Sequence, residues 1–459
     1  MGKQIAAVLG TGQTRHASRR TDVSMAGLCR EAVDRAMADA EVGWDEVDAV
    51  VVGKAPDLFE GVMMPELVLA DALGATGKPL LRVHTAGSVG GSTANVAASL
   101  VQAGVHRRVL AVAFEKQSES NAMWALSIMP PFSMPVGAGA GGYFAPHVRS
   151  YIRRSGAPPH IGAMVAVKDR RNGSRNPWAH VRQADLTVES VLASQMLWDP
   201  IRYDETCPSS DGACAMVLGD EHAAAGPRPP GGGGPPPARG PPPPPPPRPA
   251  PGGPPARGGA AGGRGAGSPR GGGAPRGGGG GGGGGGAPPP PPAAAATGRP
   301  VAWIHATAMR TEPTTFAGRD QVSPQAGRDA AAALWAQGGI NDPMSEVDVA
   351  ELYVPFSWFE PMWLENLGFA AEGEGWKLTE SGETAIGGRL PVNPSGGVLS
   401  SNPIGASGML RFAEAAMQVM GRAGEHQVDG ARTALGHAYG GGSQYFSMWV
   451  VGAARPGER

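Results

Sequence analysis

Short apolar runs alternate along this chain with stretches in which apolar side chains recur every three or four positions. The runs, bounded by turn formers, read as buried strands, and the longer spacing reads as one face of a helix. On that basis Ile5–Leu9, Ala49–Val52 and Val109–Ala113 are predicted strands, and Met25–Met37 and Gly90–Ala103 are predicted helices. The beat then returns: Val301–Ala308 is a strand, Ala326–Ala336 a helix, Val349–Tyr353 a strand, Met409–Met420 a helix and Gln444–Val451 a closing strand. Two rounds of strand and helix predict an α/β architecture with helices covering sheets. A stretch from about Glu115 to Trp198, rich in Met, Trp, Pro and Gly, breaks the rhythm and reads as a lid or loop domain.

Composition separates one block from the rest. Residues 226–298 are almost entirely Gly, Pro, Ala and Arg, with a seven-proline run and a ten-glycine run. Such a segment has too few apolar side chains to offset its ordering entropy, so it is expected to be a disordered insert. It divides the chain into an N-terminal half, 1–225, and a C-terminal half, 299–459. The insert carries seven Arg and no acid; taking them from the net charge of −1 leaves −8 on the remainder. Its arginines invite a polyanion such as RNA, but an inert expansion is the simpler reading, and no nucleic-acid partner is expected. No run approaches the ~18–20 apolar residues of a membrane span. The first residues read as a strand rather than a signal peptide. Cys29, Cys207 and Cys214 have neither zinc-ligand spacing nor the look of a disulfide framework. A cytoplasmic protein without a metal is expected.

Four segments carry candidate chemistry. Residues 393–408 read N-P-S-G-G-V-L-S-S-N-P-I-G-A-S-G, a loop running into an amphipathic helix, with Asn402 near its end. Ser88–Ala94, S-V-G-G-S-T-A, opens another helix. Ser88 has two readings: an N-cap, or a nucleophile, which needs a base because a hydroxyl stays protonated near neutrality. The free amides of that turn also suit a thioester oxygen or its enolate. In E-L-Y-V-P-F-S-W-F-E, Tyr353 stands at a strand end, either to pass a proton or to pack with its hydroxyl satisfied. G-H-A-Y-G-G-G places His437 and Tyr439 in a glycine-rich loop, His437 as a base or as a structural ring. By contrast, G-T-G at Gly10–Gly12 lacks the third glycine of a dinucleotide fingerprint, since Arg15 stands there, and reads as an ordinary turn.

Together these segments resemble the motifs of thiolases. Residues 393–408 match N-x-x-G-G-x-x-x-x-H-P-x-G-x-S-G, with Asn402 in place of the histidine. The Ser88 segment matches C-x-x-G-x-x-A, with Ser88 in place of the nucleophilic cysteine. The Tyr353 segment is similar to the H-D-C-F or N-E-A-F loop, and residues 436–442 are similar to C-x-G-G-G, with Ala438 at the second catalytic cysteine. Val167–Pro177 and Cys207–Leu218 are similar to the loop-domain N-x-x-x-N-P and to the S-D-G-A-x-A strand entry; the latter assigns Cys207 and Cys214 to a structural stretch.

The resemblance implies two similar βαβαβαββ halves in five αβαβα layers, with an inserted loop domain over coenzyme A. It also implies a homodimer with no resident cofactor, coenzyme A entering as part of the substrate. More narrowly, the chain is similar to sterol-carrier-protein-X-type thiolases and actinobacterial lipid-transfer proteins. Some of these lack the Cys–His set and act as aldol lyases on steroid side-chain CoA thioesters, with a small zinc-ribbon/OB-fold partner. Tyr353 agrees with that group, whereas Asn402 departs from its two-tyrosine arrangement.

Without a thiolate, retro-aldol cleavage of a 3-hydroxyacyl-CoA is the first expectation. An acetyl-CoA acyltransferase using Ser88 and a non-catalytic CoA-ester or lipid-binding subunit are the alternatives. The candidate catalytic set is Tyr353, Asn402, His437, Tyr439 and Ser88. Candidate contacts to coenzyme A are Lys168, Arg171, Arg175, Ser407 and Gly408. Met123–Met134 and Trp358–Trp363 read either as the lining of a lipid tunnel or as core.

Overall fold

Ser24 starts the first long helix: its hydroxyl accepts the Gly27 amide at 3.0 Å, and apolar residues then recur on one side from Met25 through Leu28, Ala32 and Ala36. This helix, α1 (Met25–Ala40), follows strand β1 (Ala6–Gln13) in a computed structural model that describes residues 4–55, 59–120, 139–225, 299–313 and 318–458. The 226–298 segment and Met123–Met134 lie outside the described residues.

The other strands of the main sheet are β2 (Ala49–Lys54), β3 (Leu80–Val83), β4 (Arg108–Lys116), β5 (Asp211–Asp220), β6 (Ala302–Thr311), β7 (Val349–Glu351), β8 (Thr433–Gly440) and β9 (Tyr445–Gly452). They form one nine-stranded sheet in the order β3-β2-β4-β5-β1-β6-β9-β8-β7. The longer helices after α1 are α2 (Val89–Gln102), α3 (Gly139–Ser155), α4 (His160–Arg175), α5 (Gln325–Gly338), α6 (Phe359–Asn366) and α7 (Ile404–Val419).

From its centre outward the sheet repeats itself. On one side β1–β5 and β5–β4 are antiparallel and β4–β2 parallel; on the other β6–β9 and β9–β8 are antiparallel and β8–β7 parallel. The two halves join where β1 meets β6, through Ala7 opposite Trp303 and Val8 opposite Ala302. Helices obey the same repeat. α1 lies on β1 and β5, and α5 lies on β6 and β9, while α2 and α7 pack on each other and on strands of both halves. The two halves of that one sheet make two of five layers, helix–half-sheet–helices–half-sheet–helix, with α2 and α7 in the middle.

Most of the expected elements form, with shifted ends. Three differences have physical causes. β8 was expected to be a loop because of its glycines. It is a strand buried along nearly all its length, where Gly436 leaves room for Trp449 and Phe412. α7 starts at Ile404, before the apolar spacing does, because Gly405, Ala406, Ser407 and Gly408 are small residues that show no apolar period yet are buried. β3, Leu-Leu-Arg-Val, is a partly exposed edge strand whose apolar run is too short to read as one. The Glu115–Trp198 stretch opens with the end of β4 and then carries α3 and α4; a short hairpin, Met196–Trp198 with Ile201–Arg202, follows them.

Candidate functional site

The first turns of α2 and α7 touch main chain to main chain. A Cβ on Gly90 would lie 2.4 Å from the Met409 nitrogen, and one on Gly408 would lie 2.8 Å from both the Gly91 nitrogen and the Ala438 Cβ. Only glycine allows that approach. It brings the loops before the two helices, bearing Ser88 and Asn402, to one end of the middle layer. β8 closes on the same place, since a Cβ on Gly440 would meet the Gly87 and Ser88 nitrogens at 2.4 Å. Tyr353, two residues beyond β7, points its hydroxyl at this loop: a Cβ on Gly87 would lie 3.7 Å from it.

Asn402 is the hub of the polar contacts. Its Oδ1 accepts the Ser407 hydroxyl at 2.8 Å and the Tyr353 hydroxyl at 3.4 Å, while its Nδ2 donates to the Cys207 sulfur at 3.1 Å. Its main chain is fixed as well. The amide donates to Ser210 Oγ at 3.1 Å, and the carbonyl accepts from Gln117 Nε2. Ser407 thus belongs to this cluster. Cys207 does too, which its assignment to a structural stretch did not foresee. Its sequence neighbours gave the strand entry correctly, but nothing in them points to a partner 195 positions away.

Tyr353 is 5% exposed, and burial, followed by the neighbouring Cys207, pushes its phenol above the ordinary range. Tyr439 stands edge-on to it, ring centroids 5.3 Å apart, and is likewise raised by burial. His437 is fully buried and held neutral, its pKa pushed down to about 3 by burial. The Tyr353 amide donates to its Nδ1 at 3.3 Å, which places the ring proton on Nε2. The lone pair a base would need is therefore engaged.

Ser88 caps nothing with its side chain. Its Oγ donates to the Thr85 carbonyl at 2.7 Å and lies 3.0 Å from Thr85 Oγ1. From there hydroxyls run through Ser92 to Ser447, each 2.7 Å from the last. No histidine or carboxylate is hydrogen-bonded to this chain among the described residues. The N-cap reading is thus replaced by a hydroxyl relay, and the nucleophile reading has no base in place.

Two expected contacts to coenzyme A are committed elsewhere. Lys168 is nearly buried, bonding Asp169 at 2.5 Å, Glu360 at 3.0 Å and the Val392 carbonyl at 2.8 Å. Burial acts to lower its pKa, but those two carboxylates hold it above the usual range. Gly408 sits inside the α2–α7 contact. Arg171 and Arg175 remain exposed on α4. Trp358–Trp363 is core: Trp358 donates to Glu205 at 3.0 Å, Trp363 donates to the Tyr353 carbonyl at 2.9 Å, and Phe359 stacks on Tyr439. Among the described residues no cluster of three or more His, Cys, Asp or Glu suits a metal ion, and no helix is long and apolar enough to cross a membrane.

Comparison with known proteins agrees with this geometry. Residues 308–453 match the family model described as thiolase C-terminal domain-like. Human sterol carrier protein 2 is 24% identical over 97% of this chain and 72% of its own length. An acetyl-CoA acetyltransferase of Methanothermobacter thermautotrophicus is 27% identical over 95% of this chain and 96% of its own. Among solved structures, an Ltp2-ChsH2(DUF35) aldolase superposes with a TM-score of 0.71 at 24% identity, covering 98% of this chain and 97% of that one. Layered halves, a C-terminal segment that matches the thiolase model and similarity along nearly the whole length make the chain similar to thiolases in fold and in sequence.

Proposed function

We propose that this protein cleaves a carbon–carbon bond in a 3-hydroxyacyl-CoA by a retro-aldol reaction, without a covalent intermediate. The observation that carries the reading is the contrast between two loops. Among the described residues Ser88 is hydrogen-bonded to a hydroxyl and a carbonyl, whereas Asn402, Ser407 and Tyr353 form a set of donors at the same end of the middle layer. A retro-aldol step needs a base for the β-hydroxyl and donors for the enolate, and no nucleophile. Tyr353, as its phenolate, takes the β-hydroxyl proton; the Cα–Cβ bond breaks and its electron pair becomes a thioester enolate. The Asn402 amide faces the enolate oxygen. Tyr353 then returns the proton to Cα, releasing a shortened acyl-CoA and a carbonyl product.

The substrate class is a lipid acyl-CoA, steroid side chains included, with coenzyme A part of the substrate and no resident cofactor. The likeness to a sterol carrier protein and to an Ltp2-ChsH2(DUF35) aldolase supports it. The same likeness favours a DUF35-type partner of zinc-ribbon/OB-fold build. A cytoplasmic homodimer completes the reading. The acetyltransferase relative favours a second one, acyl transfer through Ser88, which the missing base argues against. The third reading, a binding subunit without turnover, has no observation of its own.

The test pairs Tyr353→Phe with Ser88→Ala on 3-hydroxyacyl-CoA and 3-oxoacyl-CoA esters. Loss of about 10²-fold in kcat or more is expected for the first and a change within about three-fold for the second. The opposite pattern, or an acyl group trapped on Ser88, sinks the lyase.

A further inference from the structure

We propose that Cys207 is a positioning residue of this site: its sulfur holds one amide proton of Asn402 and thereby turns the other toward the oxygen of a bound thioester. The inference rests on the reading above. The Ser407 hydroxyl donates to Asn402 Oδ1 at 2.8 Å, joined at 3.4 Å by that of Tyr353 while it is protonated, so the amide nitrogen faces the other way, and there it meets the Cys207 sulfur at 3.1 Å. An amide nitrogen has two protons. Sulfur is a weak acceptor that fixes one direction without competing strongly for the second.

Cys207 is itself anchored, its main-chain N–H donating to the Pro355 carbonyl at 2.9 Å, two residues from Tyr353. A separate observation marks the place as built for a ligand. Arg170 is 6% exposed and donates Nη2 to the Thr206 carbonyl at 3.0 Å, yet its Nε and Nη1 have no partner among the described residues. Buried donors without acceptors are costly, and an electron-rich group arriving beside Cys207 satisfies them. Burial pushes the Cys207 thiol up to about 11, with Arg170 acting against that shift, so it serves as a neutral contact rather than a ready thiolate. Of the three cysteines it alone is partly exposed; Cys29 and Cys214 are buried.

The test uses the full chain with a 3-hydroxyacyl-CoA ester, in wild-type, Cys207→Ala and Cys207→Ser forms, with melting temperatures recorded. Cys207→Ala is expected to lose about ten-fold in kcat with KM within about two-fold, and Cys207→Ser, which still accepts the amide proton, to recover within about three-fold. Maleimide labelling read by peptide mass spectrometry is expected to modify Cys207 in the native wild type and to slow when acetyl-CoA is bound. Undiminished kcat in Cys207→Ala overturns the proposal. So does an equal loss in both variants matched by an equal fall in melting temperature, which marks packing alone. An acyl group found on Cys207 also overturns it, making the thiol a nucleophile. Loss in Tyr353→Phe with full activity in Cys207→Ala removes this inference and leaves the lyase standing. A wild type that neither binds nor turns over CoA thioesters removes both.

Discussion

An asparagine amide can face a site with either its oxygen or its nitrogen, and around Asn402 the neighbours decide. The Ser407 hydroxyl holds the oxygen, with that of Tyr353 beside it until it ionises, so the nitrogen is the donor left for a substrate. Burial sets the proton chemistry in the same direct way. With the Tyr353 phenol held above its ordinary range near 10, its ionised form is scarce at neutral pH and grows as pH rises. We therefore expect log kcat to climb with unit slope through about pH 9.5. No inflection is expected between pH 6 and 7, since His437 stays neutral down to about 3. A plateau with a step near the usual histidine range would reassign the base. Ser88, Tyr353, Asn402, His437 and Tyr439 were legible because each sits at a fixed offset from glycines and prolines of recognisable loops. Cys207 and the ion pairs of Lys168 were not, because their partners lie far along the chain.

Elements behave as their packing requires rather than as their period suggests. α2 and α7 meet through Gly90 and Gly408, so Gly90→Ala forces main chain apart and is expected to cost about 1–3 kcal/mol, read as a lower melting temperature. A Gly421→Ala control, at a turn with open space around it, tests whether crowding is the cause; its left-handed backbone costs it about 1 kcal/mol, so a matching loss would discount the contact. On α4 the exposed Arg171 and Arg175 are the remaining cations for coenzyme A phosphates. Arg171→Glu and Arg175→Glu are each expected to raise KM for CoA thioesters about five- to ten-fold, an effect that shrinks with added salt. Unchanged KM takes coenzyme A off that helix face. Strands such as β2 and β4 were legible as unbroken apolar runs. β8 was not, because close packing against Trp449 asks for glycine where a strand reading asks for bulk.

At the scale of the molecule, strand–helix alternation was enough to indicate two rounds, and the repeated sheet pattern about the β1–β6 junction agrees with it. The edges of the sheet differ. β7 is buried and bridged at Ala350 to Val392, while β3 is a partly exposed edge in contact with the short helix Glu66–Leu69, whose Leu67 and Val68 are exposed. An open strand edge with apolar neighbours suits pairing with a second copy. Leu81→Lys is accordingly expected to convert the proposed homodimer to a species of 46.7 kDa in sedimentation. Retention of the larger mass places the dimer contact elsewhere. The glycine contact between α2 and α7 reaches further. Because peptide groups alone fix how far the Ser88 loop stands from the Asn402 loop, the reactive side chains hang from a gauge that they do not set. Exchanging thiol for hydroxyl, or imidazole for amide, leaves that gauge untouched, so such a scaffold can change its chemistry without relearning how to fold.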